Sequence, residues 1–336
     1  MSRIINFLFT YILFGFLLYS CGAPEKPAKI NDGEQPVNSL NTDIPIFNED
    51  SAYFYIEKQV FFGPRVPNSK QHEACATYLV QNLKANADTV IVQKTRLRAY
   101  DGTALNISNI IASFNPSTNN RIFLCAHWDS RHIAEKDTNA AMQKLPINGA
   151  NDGASGVGVL LEIARILKIY KPKIGVDIIL FDAEDYGQSD NSGLERKEDT
   201  WALGSQYWAK NFHKKNYYAR YGILLDMVGA ANATFLKESY SMQYAPDVVR
   251  KVWQAAQRGG YGNYFQNKET NAITDDHYYI NKLAGIPTID IIHFDNTTPT
   301  GFFPFWHTHG DNMSVIDKET LKAVGQTLLI VIFEEK

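Results

Sequence analysis

Four short runs of this sequence set a carboxylate or an imidazole against an apolar segment or a tight, glycine-rich turn. They are Ala126-His127-Trp128-Asp129, Asn151-Asp152-Gly153, Phe181-Asp182-Ala183-Glu184-Asp185 and Trp306-His307-Thr308. An acid or imidazole at the end of a buried strand is costly to desolvate unless it is paired or bound to a cation. The chain is therefore constrained to a fold that gathers distant strand ends around one shared charge partner. Mixed imidazole and carboxylate sets bind divalent ions, and zinc is the natural candidate.

Between these ends the pattern alternates. Helical spacing begins at Ser51, and Ala74, Tyr78, Leu79 and Leu83 share one face over 69–85. Strands are expected over 89–97 and 105–114, then at 121–126, 176–181, 221–227 and 288–293. Helices are expected over 154–170, 205–212, 247–258 and 318–333. Runs such as Ile178-Ile179-Leu180-Phe181 and Ile223-Leu224-Leu225 lack polar alternation, so helices should cover these strands on both faces. That is an α/β sandwich. In such sheets ligand sites collect beyond the carboxyl ends of the strands, which is where His127, Glu184 with Asp185, and Asp226 fall.

The 336 residues are 45% hydrophobic, enough for a sizeable core, and a formal net charge of -3 leaves no basic stripe for nucleic acid. Arg3, the uncharged run from Ile4 to Tyr19 and the segment Leu18-Tyr19-Ser20-Cys21 resemble a bacterial lipoprotein leader. Residues 1–20 would then be a signal peptide and Cys21 the lipidated first residue. The lipid would tether the protein to a bacterial membrane, facing the periplasm or the cell exterior. The alternative is an uncleaved apolar anchor, since the run is nearly long enough to span a bilayer. Small Ser20 and the polar residues after Cys21 favour cleavage. Residues 21–45 have no hydrophobic period and are expected to be a flexible tether, leaving 46–336 as a single catalytic domain. Cys75 and Cys125 either pair or lie apart as buried thiols.

Asp152 lies among small residues from Gly149 to Gly156 that allow close approach of a ligand, or it caps a helix. No Lys-Ser or Lys-Thr follows, so this is not a phosphate loop. Glu184 and Asp185 are neighbours at a strand end and repel unless one binds a cation and the other carries a proton. Asp185, the shorter arm, is assigned to the metal and Glu184 to proton transfer. His307 stands among Phe302, Phe303, Phe305 and Trp306. Trp306 and Trp201 are either core aromatics or walls of a substrate pocket. Thr274-Asp275-Asp276-His277 supplies two further acids and an imidazole before a helical stretch, as surface caps or as part of the site.

The ordered set His127, Asp152, Glu184-Asp185, Asp226 and His307 resembles the zinc-dependent exopeptidases of the M28 aminopeptidase family. It is more similar to their relatives, the glutaminyl-peptide cyclotransferases or glutaminyl cyclases. The segment from Leu225 to Phe235, Asp275 before Asp276-His277, and Trp306 before His307 carry that closer likeness. The resemblance implies a three-layer α/β sandwich whose central mixed, mostly parallel sheet is flanked by helices. It also implies an aminoacyltransferase that closes the N-terminal glutamine of peptides or proteins into pyroglutamate with release of ammonia.

By the same resemblance, one zinc per chain would be held by Asp152, Asp185 and His307. Glu184 would be the acid/base, with Asp226 and Asp275 in its hydrogen-bond network and Trp201 and Trp306 against the substrate. Two departures stand out. Asp185 occupies a position where animal cyclases carry Glu, and the loop after it lacks their Trp, a role passed here to Trp201. The main alternative is a two-zinc aminopeptidase in which His127 and Asp226 bind a second metal; a further one is an inactive, lipid-tethered binding protein on the same scaffold.

Overall fold

Two helices, α1 (Glu49–Phe61) and α2 (Lys70–Asn86), open the part of the chain that this computed structural model describes, residues 43–336. Asn48 and Ser69 cap them by accepting the backbone N–H groups of Ser51 and His72. The expected leader, Cys21 and the tether up to residue 42 lie outside the described residues. Among the described residues no helix is long and apolar enough to cross a membrane.

The chain continues through β1 (Thr89–Arg98), β2 (Ala104–Phe114), β3 (Arg121–His127), α3 (Ala154–Ile169), β4 (Gly175–Phe181), α4 (Leu203–Lys210) and β5 (Gly222–Asp226). There follow β6 (Phe235–Lys237), α5 (Ser239–Tyr244), α6 (Pro246–Arg258), β7 (Phe265–Glu269) and α7 (Asp276–Tyr279), which runs into a π-helical turn at Ile280–Ala284. The last elements are β8 (Thr288–Ile292) and α8 (Lys318–Glu334). Six strands form one sheet in the order β1-β2-β4-β3-β5-β8. Its first two pairings are antiparallel and the remaining three parallel. This is the mixed, mostly parallel sheet that the resemblance implied.

Side-chain alternation along the central strands builds the layers. Ile122, Leu124 and Ala126 of β3, with Ile178 and Leu180 of β4, join one core with α1, α2, α3, α6 and α8. Their neighbours Phe123, Cys125, Ile179 and Phe181 point the other way, into a smaller core with Trp208 and Ile280. Both faces are covered, which is why these strands read as unbroken apolar runs. Cys75 belongs to the first core and Cys125 to the second, so the two thiols are free and on opposite sides of the sheet. Burial pushes both thiols up, Cys75 to about 12.

Candidate metal centre and substrate pocket

The candidate metal-binding and acid/base residues singled out from the sequence gather at the carboxyl edge of this sheet. His127 and Asp226 are the last residues of β3 and β5, Glu184 and Asp185 follow β4, and His307 follows β8. Asp152 lies in the turn before α3, and Asp275 caps the first turn of α7. The turn after Asp152 requires Gly153: its φ is +98°, and a Cβ there would lie 2.4 Å from the Asp129 carbonyl oxygen.

Asp152 is shared between two groups of ligand-type atoms. Asp152, Asp185 and His307 form one and His127, Asp152 and Asp226 the other; within each, the atoms lie within 4.8 Å of one another and all are buried. His307 Nε2 is 3.2 Å from Asp185 Oδ1 and 3.7 Å from Asp152 Oδ2. On the other side, His127 Nε2 is 3.0 Å from Asp152 Oδ1 and 3.3 Å from Asp226 Oδ1. Neither carboxylate oxygen of Asp185 has a hydrogen-bond partner. Two orphaned, buried anionic oxygens beside an imidazole nitrogen and a second carboxylate are the donor set that a divalent ion satisfies, so these residues fit zinc.

Electrostatics point the same way. Burial and the neighbouring Asp152 push Asp185 up to about 6. Burial and Asp152, against the bond from His127, push Asp226 up to about 7. Glu184 is raised well above the ordinary carboxylate range by burial and by Asp275. Burial would lower His307, but Asp185 lifts it to about 9. Protons balance this crowded charge where no cation does, and a divalent ion among Asp152, Asp185 and His307 would displace them.

Four residues to which the sequence pattern gave no role hold this geometry. Asp129 accepts the backbone N–H groups of Glu184 and Asp185 at 3.1 and 3.2 Å. Asp311 does the same for Asn151 and Asp152 at 2.7 and 3.0 Å. Each pair of neighbouring residues is thus clamped by one buried carboxylate. Glu135 accepts from His307 Nδ1 at 2.9 Å, fixing the ring so that Nε2 faces Asp185. Burial alone would raise Glu135, but His307 and Arg131 hold it well below the usual range. Arg131 also donates to the Asp185 and Gly187 carbonyls at 2.8 and 2.9 Å. These residues sit in loops without periodicity; the only sequence signals were Asp129 two residues after His127, an Arg-Glu pair four apart, and Asp311 four residues after His307.

A cavity of about 430 Å³ opens onto the metal-type groups and Glu184. Trp201, Trp306, Met227, Ile273, Ile292 and Phe302 give it an apolar wall, and Asp275 and Asp226 enter it as acids. Both tryptophans stack on His307, Trp306 at 3.7 Å between ring centroids and Trp201 at 5.9 Å. Arg131 covers Trp201 at 4.5 Å. Trp201, to which the resemblance passed the role of the Trp missing after Asp185, lines this cavity. Among the described residues no side-chain hydrogen bond joins Glu184 to Asp275; Asp275 Oδ1 accepts the N–H of Asp276 and its Oδ2 has no partner.

The profile of Peptidase family M28 matches residues 109–332. The chain belongs to that family. Within it, the chain is 54% identical to the Bacteroides thetaiotaomicron glutaminyl cyclase, over 88% of this chain and 100% of that one, with a TM-score of 0.86. A Tannerella forsythia glutaminyl cyclase is also 54% identical, over 87% and 100%, with a TM-score of 0.85. The Drosophila melanogaster glutaminyl-peptide cyclotransferase is 27% identical over 284 residues, covering 76% of this chain and 73% of that protein.

Proposed function

We propose that this chain is a zinc-dependent glutaminyl-peptide cyclotransferase acting on peptides or proteins with N-terminal glutamine. The observation that carries the site assignment is the meeting of the Asp152, Asp185 and His307 donors with a buried, unpaired Glu184 in one tryptophan-walled cavity. Asp152, Asp185 and His307 would hold one zinc, which when bound polarises the side-chain amide carbonyl as a Lewis acid.

The chain's own groups account for the rest. Trp201, Trp306 and Ile273 exclude water and hold the glutamine side chain folded toward its own α-amine, which replaces a bimolecular encounter with an intramolecular one. Glu184 accepts the proton that the α-amine loses as its nitrogen bonds to the side-chain carbonyl carbon. It returns that proton to the amide nitrogen, the carbon–nitrogen bond breaks, and ammonia leaves. The raised affinity of Glu184 for protons suits a group that takes one and gives it back. Asp275 and Asp226, on the same wall, would hydrogen-bond the amine and the departing nitrogen.

A two-zinc aminopeptidase is the second reading, and the His127, Asp152 and Asp226 group is the observation in its favour. The test is to offer purified protein a glutaminyl peptide and a leucyl peptide. Ammonia from the first without leucine from the second is the expected result; the reverse would end the cyclase assignment. Metal analysis should give one zinc per chain.

Cys21 is proposed to carry a lipid that holds the enzyme to a bacterial membrane, facing the periplasm or exterior. The leader sequence supports this. Radiolabelled palmitate should enter the full-length chain and fail to enter a Cys21→Ala variant.

A further inference from the structure

Behind the pocket wall lies a third group of buried ligand-type atoms. Those of Asp275, His277 and Asp290 lie within 4.8 Å of one another. The outermost partner of this group is Glu238, the cap of α5. Its carboxylate accepts from the backbone N–H groups of Tyr240, Ser241 and Ile273 at 2.8, 2.6 and 2.9 Å and from the Ser241 hydroxyl at 2.9 Å. Burial would raise Glu238, but His277 and these donors bring it down to about 2. Glu238 is therefore an ionised acceptor, and His277 Nε2, 3.0 Å away, donates to it.

That fixes the other side of the ring. His277 Nδ1 faces Asp290 Oδ2 at 3.7 Å, and neither it nor either Asp290 oxygen has a hydrogen-bond partner. Both residues are fully enclosed. The groups that press on Asp290 are Asp275 and Asp276 from α7, Asp226 from β5 and Glu238 from α5, all of them acids. A bare nitrogen lone pair opposite a bare carboxylate among further acids is strongly repulsive in a low-dielectric interior. A proton on either of them removes that repulsion.

We propose that Glu238, His277 and Asp290 form a buried carboxylate–imidazole–carboxylate relay that keeps one proton between His277 Nδ1 and Asp290, and so fixes Asp275 against the pocket. A divalent ion would meet the same three atoms. It would have to shed its water to reach a group whose three residues are all buried. The proton needs no such passage. Asp290, His277 and Glu238 are positioning residues here, since Asp275 alone of this group lines the pocket.

The kinetic arm of the test rests on the cyclase assignment; the spectroscopic arm does not. In zinc-loaded wild-type protein, a slowly exchanging, downfield proton resonance beyond that of the His277 Nε2–H should appear and be lost in Asp290→Asn. Its absence from the wild-type spectrum overturns the relay, even if no variant folds. Asp290→Asn and His277→Gln should each lower kcat roughly tenfold to a hundredfold, the cost of a misplaced catalytic group, with KM and zinc content unchanged. The double variant should be no worse than the worse single one, because both remove the same proton. Unchanged kcat, effects that multiply, or a second zinc equivalent lost with His277→Gln would each overturn the proposal. Should the wild type release no ammonia while the downfield proton persists, the cyclase assignment has failed and the relay stands.

Discussion

The two imidazoles on either side of Asp152 reach it through comparable contacts, but their surroundings equip them differently. His307 has its far nitrogen bonded to the ionised Glu135 and its ring held by Trp201 and Trp306. His127 has neither: its Nδ1 lies 3.5 Å from Asp129 without a hydrogen bond, and the Asp129 oxygens accept the amides of Glu184 and Asp185. A metal-binding imidazole is normally oriented by a bond from its other nitrogen. One group therefore has the support of a metal site. The other is a buried histidine whose affinity for protons, lowered by burial, is lifted well above normal by Asp129, Asp152 and Asp226. A proton on His127 can do there what a second zinc would do in an aminopeptidase.

The largest effect should come from Glu184, which neither group claims. Glu184→Gln keeps the shape and removes the proton carrier, so kcat should fall by about 10²–10⁴ while the protein still binds one zinc. Retained activity with intact zinc would move the acid/base role elsewhere, with Asp226 the next residue to test.

The comparison itself is tested by unequal damage. Glu135→Gln withdraws the carboxylate behind His307 and should weaken zinc binding by about 10–100-fold. His127→Asn should leave one zinc per chain with near-native affinity. If His127→Asn removes a zinc equivalent, the two imidazoles are functionally alike and the one-metal assignment fails.

Proton competition sharpens the same point. Between about pH 6 and pH 9 zinc must displace the His307 proton, and below about pH 6 the Asp185 proton as well. The logarithm of apparent zinc affinity should rise with pH at a slope of about one above pH 6 and about two below it. Chelator competition across this range measures both slopes, and a flat profile would contradict the ligand assignment.

How much of this could be read from the sequence depends on what each residue follows. His127, Asp226 and the Glu184-Asp185 pair end apolar runs, so strand chemistry alone placed them at one edge. Asp275 sits in an irregular segment and its role came from resemblance, while His307, in another, was grouped with the metal-type runs by residue type and company alone. Glu135, Arg131, Asp311 and Glu238 act through loop or helix-cap geometry that has no period in the sequence. The small β6-β7 sheet was missed for a related reason: in Phe235–Lys237 and Phe265–Glu269 the first residue alone is buried, which leaves no alternation to detect. The Asp276-His277 segment, expected ahead of a helical stretch, itself starts α7, and Asp275 caps it while buried in the pocket wall.

The smallest predicted effect concerns the aromatic flank that His307 has and His127 lacks. Gly187 lies against Trp201 so closely that a Cβ would fall 1.9 Å from the indole. Gly187→Ala must therefore displace the ring. The zinc donors are untouched, so metal content should hold. Substrate should lose part of its apolar wall in the ground and transition states alike, raising KM roughly fivefold, about 1 kcal/mol of uniform binding, with kcat little changed. Steady-state kinetics on a glutaminyl peptide separates the two constants. An unchanged KM would make Trp201 a packing residue, whereas a fall in kcat with loss of zinc would mean that the ring supports His307 and not the substrate.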